Sequence, residues 1–158
     1  MSPPMGRTRS QPRCLALAWP LRRSIGLPCV PGESPDGVPG AIARVEADTD
    51  HWLAAGVGEE LFAVVSGSLI VSPLPLDAGA NVVRFAEADR LLASGYLWEE
   101  SRQQLAYKPL LTAERKGRGL VINFTQEPAF RAQLDGLGVL LMNALLRSPA
   151  KVRRGLGG

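Results

Sequence analysis

The chain contains one histidine, His51, and two cysteines, Cys14 and Cys29, and that supply limits its chemistry at the outset. A catalytic zinc takes three protein ligands, commonly two histidines and a carboxylate, and keeps a fourth position for water. A lone histidine cannot furnish a two-histidine site, so His51, next to Asp48-Thr49-Asp50, is expected to be a turn residue without a metal. The cysteines stand fifteen positions apart with no C-x-x-C spacing and no nearby histidine. Neither a disulfide framework nor a zinc site is expected of them.

Serine or cysteine nucleophiles need an oriented base and usually a constrained turn such as G-x-S-x-G. Ser66-Gly67-Ser68 and Ala93-Ser94-Gly95 are small-residue turns without that pattern, and Cys29 sits in a loop between Pro28 and Val30-Pro31. Paired acids occur at Glu59-Glu60 and Glu99-Glu100. Adjacent side chains diverge on a helix, so solvated faces explain both pairs. Gly117-x-Gly119 lies between two strand-like runs, whereas a phosphate-binding glycine loop opens a helix. No catalytic, cofactor-binding or metal-binding residue is assigned, and this chain alone is not expected to be an enzyme.

The elements that would position any site follow from composition and pattern. With 158 residues, 46% hydrophobic and 21% charged, the chain suits one globular domain. Its net charge of +3 is concentrated at the ends. Residues 1–38 carry five arginines against two acids, residues 151–158 add Lys151, Arg153 and Arg154, and residues 39–150 are net acidic. A nucleic-acid groove needs cations clustered on the folded body, so no nucleic-acid partner is expected. No apolar run approaches the ~20 residues of a membrane helix, and the short patch Cys14–Trp19 is a poor secretory signal because Pro20 and Leu21-Arg22-Arg23 follow it. The compartment is left unassigned.

Residues 1–38 are dense in proline, which repeatedly removes backbone donors, and are expected to be a disordered leader. Residues 39–150 are read as an α/β domain and 151–158 as a basic flexible tail. Strands are expected over Ala41–Glu46, Leu61–Val65, Leu69–Ser72 and Asn81–Ala86, the second and third forming a hairpin about Ser66-Gly67-Ser68. His51–Gly56 is expected to be a turn or helical hook. Trp98–Leu105 is a short helix with Ser101 and Gln103 on its wet side. Pro109–Glu114 and Leu120–Phe124 flank a glycine turn. Pro128 is expected to open the longest helix, with Phe130, Leu134, Leu137, Leu141 and Leu145 on its buried face and Ser148-Pro149 as its end. Gly136 and Gly138 inside it suggest close approach of a neighbour, and Arg131 and Asn143 are expected to tie the domain together by hydrogen bonds.

A series of motifs goes further: Pro39-Gly40-Ala41-Ile42, His51-Trp52-Leu53-Ala54-Ala55-Gly56, Leu92-Ala93-Ser94-Gly95-Tyr96-Leu97, Gly117–Phe124, Pro128-Ala129-Phe130-Arg131 and Asn143-Ala144-Leu145-Leu146. In this order they resemble the C-terminal accessory region of bacterial zinc carboxypeptidase-like proteins of the carboxypeptidase A type. In that family a class I glutamine amidotransferase-like α/β domain follows the metallopeptidase domain. The resemblance spans about residues 39–150. It implies a partial open sheet with a C-terminal amphipathic helix, like the latter part of such a domain. The family's zinc belongs to the peptidase domain, whose His-x-x-Glu motif has no counterpart here, so no cofactor is expected in this chain. Nor does any Cys/His pair of an active amidotransferase map onto it. The expectation is a non-catalytic accessory segment, a fragment whose partner is a missing N-terminal peptidase domain. Exposed apolar surface and self-association are expected of such a fragment. The alternative is a free-standing interaction or ligand-binding module that shares only the fold.

Overall fold

The computed structural model describes residues 14–18, 38–67, 69–117, 119–132 and 134–154. They form a mixed α/β structure in which a curled, mainly antiparallel sheet packs against a C-terminal helix. The strands are β1 (Cys14–Ala18), β2 (Val38–Ala47), β3 (Glu60–Gly67), β4 (Gly79–Phe85), β5 (Leu92–Gly95), β6 (Pro109–Lys116) and β7 (Gly119–Phe124). The helices are α1 (Ala88–Leu91), α2 (Glu99–Leu105) and α3 (Asp135–Arg154), with short 3-10 turns at Trp52–Ala54 and Phe130–Ala132.

Five strands, in the order β3-β2-β4-β6-β7, pair antiparallel throughout, β1 extends the β7 edge in parallel, and β5 pairs with β2. Strand β2 is the organiser. Ala41, Ala43 and Val45 alternate inward from it as the pleat requires. One of its edges takes β3 along Ala41–Glu46, and the other takes β5 over Ala41–Ala43 and β4 over Val45–Ala47. The chain therefore leaves β4, makes the single turn of α1, and rejoins the same edge of β2 as β5. Arg44 fastens that detour by donating from Nη1 to the carbonyl oxygens of Arg90 (3.0 Å) and Leu92 (3.4 Å).

Close packing sets the β4–β6 pair. A Cβ at Gly79 would lie 2.4 Å from the Ala113 carbonyl oxygen, so only glycine fits there. Strand β6 is buried over Pro109–Ala113, unlike the alternating β2. The curl brings the outer edge of β3 toward the end of β7, where the Ser66 N–H donates to Oε1 of buried Gln126 (3.2 Å). Helix α3 lies across this closure and contacts β1, β3 and β7. One core cluster runs through the sheet into α3, from Val38 to Ala144.

Several expectations from sequence need correction. Leu69–Ser72 is not the second strand of a hairpin, since only Val71 makes an isolated bridge there. Pro73 and Pro75 withhold donors just beyond it, and the segment is pinned instead by Asn81, whose side chain accepts from the Leu74 N–H (2.9 Å) and donates to its carbonyl (2.8 Å). Ser101 is buried, not on the wet side of α2, whereas Gln103 is exposed. The long helix does not start at Pro128 or stop at Pro149. Arg131, with φ 48°, breaks helical geometry between the two, so α3 begins at Asp135 and carries Pro149 inside it. The sheet also takes in β1 and β5, for which no strand was expected.

Within residues 1–38 the described residues are β1 and Val38, the first residue of β2; the remaining leader, with Cys29, lies outside the described residues. Residues 151–154 of the basic tail continue α3.

Candidate functional site

The most developed polar construction is the junction between the 48–56 hook and α3. The hook is locally determined. Asp48 Oδ1 accepts from the Asp50 N–H (3.2 Å), and the Asp48 carbonyl accepts from the His51 N–H (3.1 Å). His51 then caps the 3-10 turn, its Nδ1 accepting from the Leu53 N–H at 3.3 Å. That bond makes His51 the capping residue of the turn.

Helix α3 grips the hook from the other side. Asn143 Nδ2 donates to the carbonyls of Leu53 and Ala55, both at 2.8 Å, and Arg147 Nη1 reaches the Trp52 carbonyl at 3.5 Å. The Lys151 ammonium lies 5.7 Å from the centroid of the Trp52 ring, within cation–π range. His51 and Trp52 are in ring contact at 5.6 Å. Burial lowers the His51 pKa below its ordinary value; Asp48 opposes that shift, and Lys151 reinforces it. The arrangement locks a turn onto a helix and favours a neutral imidazole.

Asn143 thus makes the tie expected of it. Arg131 instead sits in the left-handed region and stacks over Phe130 at 5.3 Å from the ring centroid. Of the acid pairs, Glu60 meets Arg90 at 2.9 Å and Arg44 at 3.8 Å, and Glu99 meets Arg102 at 3.9 Å and accepts from Gln103 at 3.0 Å. Ser94 is an exposed residue of β5, and Ser66 belongs to β3. Gly117, at φ 57°, turns β6 into β7. Among the described residues no group of three or more His, Cys, Asp or Glu side chains is placed to hold a metal ion. Nor is any helix among them long and apolar enough to cross a membrane.

The sequence reading missed how α3 is turned. Leu137, Leu140, Ala144, Ser148 and Val152 face the core, whereas Leu145, assigned to the buried face, is 53% exposed. Val139, Met142 and Leu146 join it on the outside, Leu146 at 70% exposure. The signal was present as a second apolar series at three- and four-residue steps, Val139, Met142 and Leu146, on the same helix. Of the two helix glycines, Gly136 abuts Leu61, whose Cδ2 would lie 2.6 Å from an added Cβ, and Gly138 has open space.

No protein-family model matches this chain, and no curated protein matches it.

Proposed function

We propose that this chain is a non-catalytic interaction segment, the C-terminal accessory portion of a zinc carboxypeptidase-like protein, which acts by packing while bond cleavage belongs to a separate peptidase segment. The observation that carries the interaction role is the outer face of α3, where Val139, Met142, Leu145 and Leu146 stand together in solvent. A contiguous apolar patch exposed to solvent marks contact with another polypeptide. The parentage rests on the motif resemblance of residues 39–150. In this reading the curled sheet and α3 are the latter part of a class I glutamine amidotransferase-like domain, and zinc belongs to the peptidase segment.

The purified chain, supplied with zinc and peptides bearing free C-termini, is expected to give no hydrolysis. Turnover that co-purifies with the chain and is abolished by a chelator would overturn the reading.

A second reading, a free-standing interaction module, is favoured by the single continuous core and by the way α3 closes the two ends of the curled sheet. That is the anatomy of an independently folding unit. Genomic DNA upstream of the Met1 codon separates the two. A peptidase segment with His-x-x-Glu, in frame or frame-shifted, is expected under the first reading, and its absence decides for the second.

A further inference from the structure

The strap between β5 and α2 presents two aromatic rings to solvent and anchors them from behind. Side chains alternate along extended backbone, and Leu97 is buried while Tyr96 and Trp98, on either side of it, are 55% and 46% exposed. The strap is held at both ends. Gly95, at φ 92°, lies so close to β2 that an added Cβ would come within 3.2 Å of the Ala41 Cα. Beyond the strap, Arg102 Nε donates to the Leu97 carbonyl at 3.3 Å. The two rings meet edge to face, with centroids 4.8 Å apart and planes at 88°. Rings set at right angles form a corner in which a ligand can lie against a π-face, and exposed Tyr and Trp are the residue types enriched where proteins meet partners.

The charges around this corner define the ligand. Elsewhere in the chain an aromatic face is matched with a cation: Lys151 lies over Trp52 at 5.7 Å and Arg131 over Phe130 at 5.3 Å. Among the described residues no cation lies over Tyr96 or Trp98. Two exposed carboxylates follow at once, Glu99 and Glu100. Glu99 is engaged by Arg102 and Gln103, whereas among the described residues no ion pair or hydrogen bond takes up the Glu100 carboxylate. An open aromatic face beside a spare carboxylate suits one side chain best. A guanidinium stacks on aromatic rings and pairs with a carboxylate through two parallel N–H donors, which a compact, strongly hydrated ammonium does less well. We propose that Tyr96, Trp98 and Glu100 form a docking site for an arginine side chain of a partner polypeptide, its guanidinium against a ring and paired with Glu100. Residues 39–150 are net acidic, which favours the approach of a basic segment. Because the strap is already held in place, binding need not order it. The site is small and exposed, so the docking is weak and reversible.

A fluorescein-labelled peptide of sequence Gly-Arg-Gly-Arg-Gly, titrated with the full chain at low salt and followed by anisotropy, tests the assignment, with far-UV circular dichroism confirming that each variant stays folded. Saturable binding is expected. Citrulline in place of arginine keeps the shape and removes the charge, and should abolish it; lysine in place of arginine should weaken it several-fold. Trp98→Ala and Glu100→Gln should each weaken binding roughly tenfold. Asp77→Asn, which removes an exposed carboxylate from a different loop, should leave it unchanged. A folded chain that shows no saturable binding, a citrulline or lysine peptide that binds as tightly as the arginine peptide, or a Glu100→Gln variant that binds like the parent would each overturn the site. An equal loss in Asp77→Asn and Glu100→Gln would overturn it too, by showing only a diffuse attraction to the acidic body. The outer face of α3 plays no part in this docking, so its failure would leave the proposed function standing.

Discussion

Asn143 sits in an apolar helix because the hook beneath it presents two carbonyls that helical geometry leaves without partners. The end of a helical turn has such orphan acceptors, and the Asn143 amide supplies both donors. Asn143→Leu would keep the branched outline of the side chain and strand the two carbonyls, at a cost of about 1–3 kcal/mol. Asn143→Asp should be no better, since it replaces the donor with an acceptor. Urea unfolding of the two variants measures the loss. His51 makes a prediction of the opposite kind, visible in pH rather than in a deletion. Burial, partly offset by Asp48 and reinforced by Lys151, lowers its pKa in the folded chain, so the unfolded chain holds the proton more tightly. Its contribution is fully present above the unfolded value of ~6.5 and is lost as pH falls through the lower folded value. Protonation also removes the acceptor for the Leu53 N–H. His51→Asn keeps a capping acceptor without the titration, so its stability should fall less than that of the parent between about pH 7 and pH 5.

The strands and α3 succeed or fail on backbone fit. Gly79 permits β4 to approach β6 so closely that an added methyl would overlap the Ala113 carbonyl and lie 3.0 Å from the Glu114 Cα. Backbone cannot step aside as a side-chain tip can. Gly79→Ala is therefore expected to destabilise the fold by about 1–3 kcal/mol or more, measured as a fall in the urea midpoint with an unchanged slope. Helix α3 shows the reverse, an element that tolerates a residue ill suited to it. Pro149 has no N–H for the Leu145 carbonyl, yet the helix continues. Before the proline Ala144 and Ser148 are buried in the core, with Ser148 Oγ donating to the Ala144 carbonyl within the helix, and beyond it Val152 is buried and Lys151 lies over Trp52. Tertiary contacts on both sides of the proline hold the last turns in place.

The described residues are expected to unfold as one cooperative unit because they share a core. Leu137 and Leu140 of α3 belong to the same cluster as Val45 of β2, Ala63 of β3 and Ile122 of β7. Truncating Leu140, which is wholly buried, should therefore cost about 2–5 kcal/mol and loosen the sheet as well as the helix. Far-UV circular dichroism and tryptophan fluorescence should shift together in Leu140→Ala. A fluorescence transition displaced from the dichroism transition would show instead that the hook around Trp52 and α3 unfold separately from the sheet.

Residue types and periodicity were enough to locate β2, β3, β4, the hook, α2 and the β6–β7 hairpin, because alternation and turn residues act over a few neighbours. They were enough also to mark Asn143 as a structural hydrogen-bonding group and His51 as a turn residue. The rotation of α3 was not readable that way. Two apolar series compete on one helix, and which of them is buried depends on where Leu61, the hook and the sheet edges meet it. The start and end of α3 escaped for the same reason: a left-handed Arg131 and a helical Pro149 go against local preference and persist only under contacts made elsewhere. The outer stripe of α3, the face on which the proposed function turns, could be recognised only once the other stripe had been placed in the core.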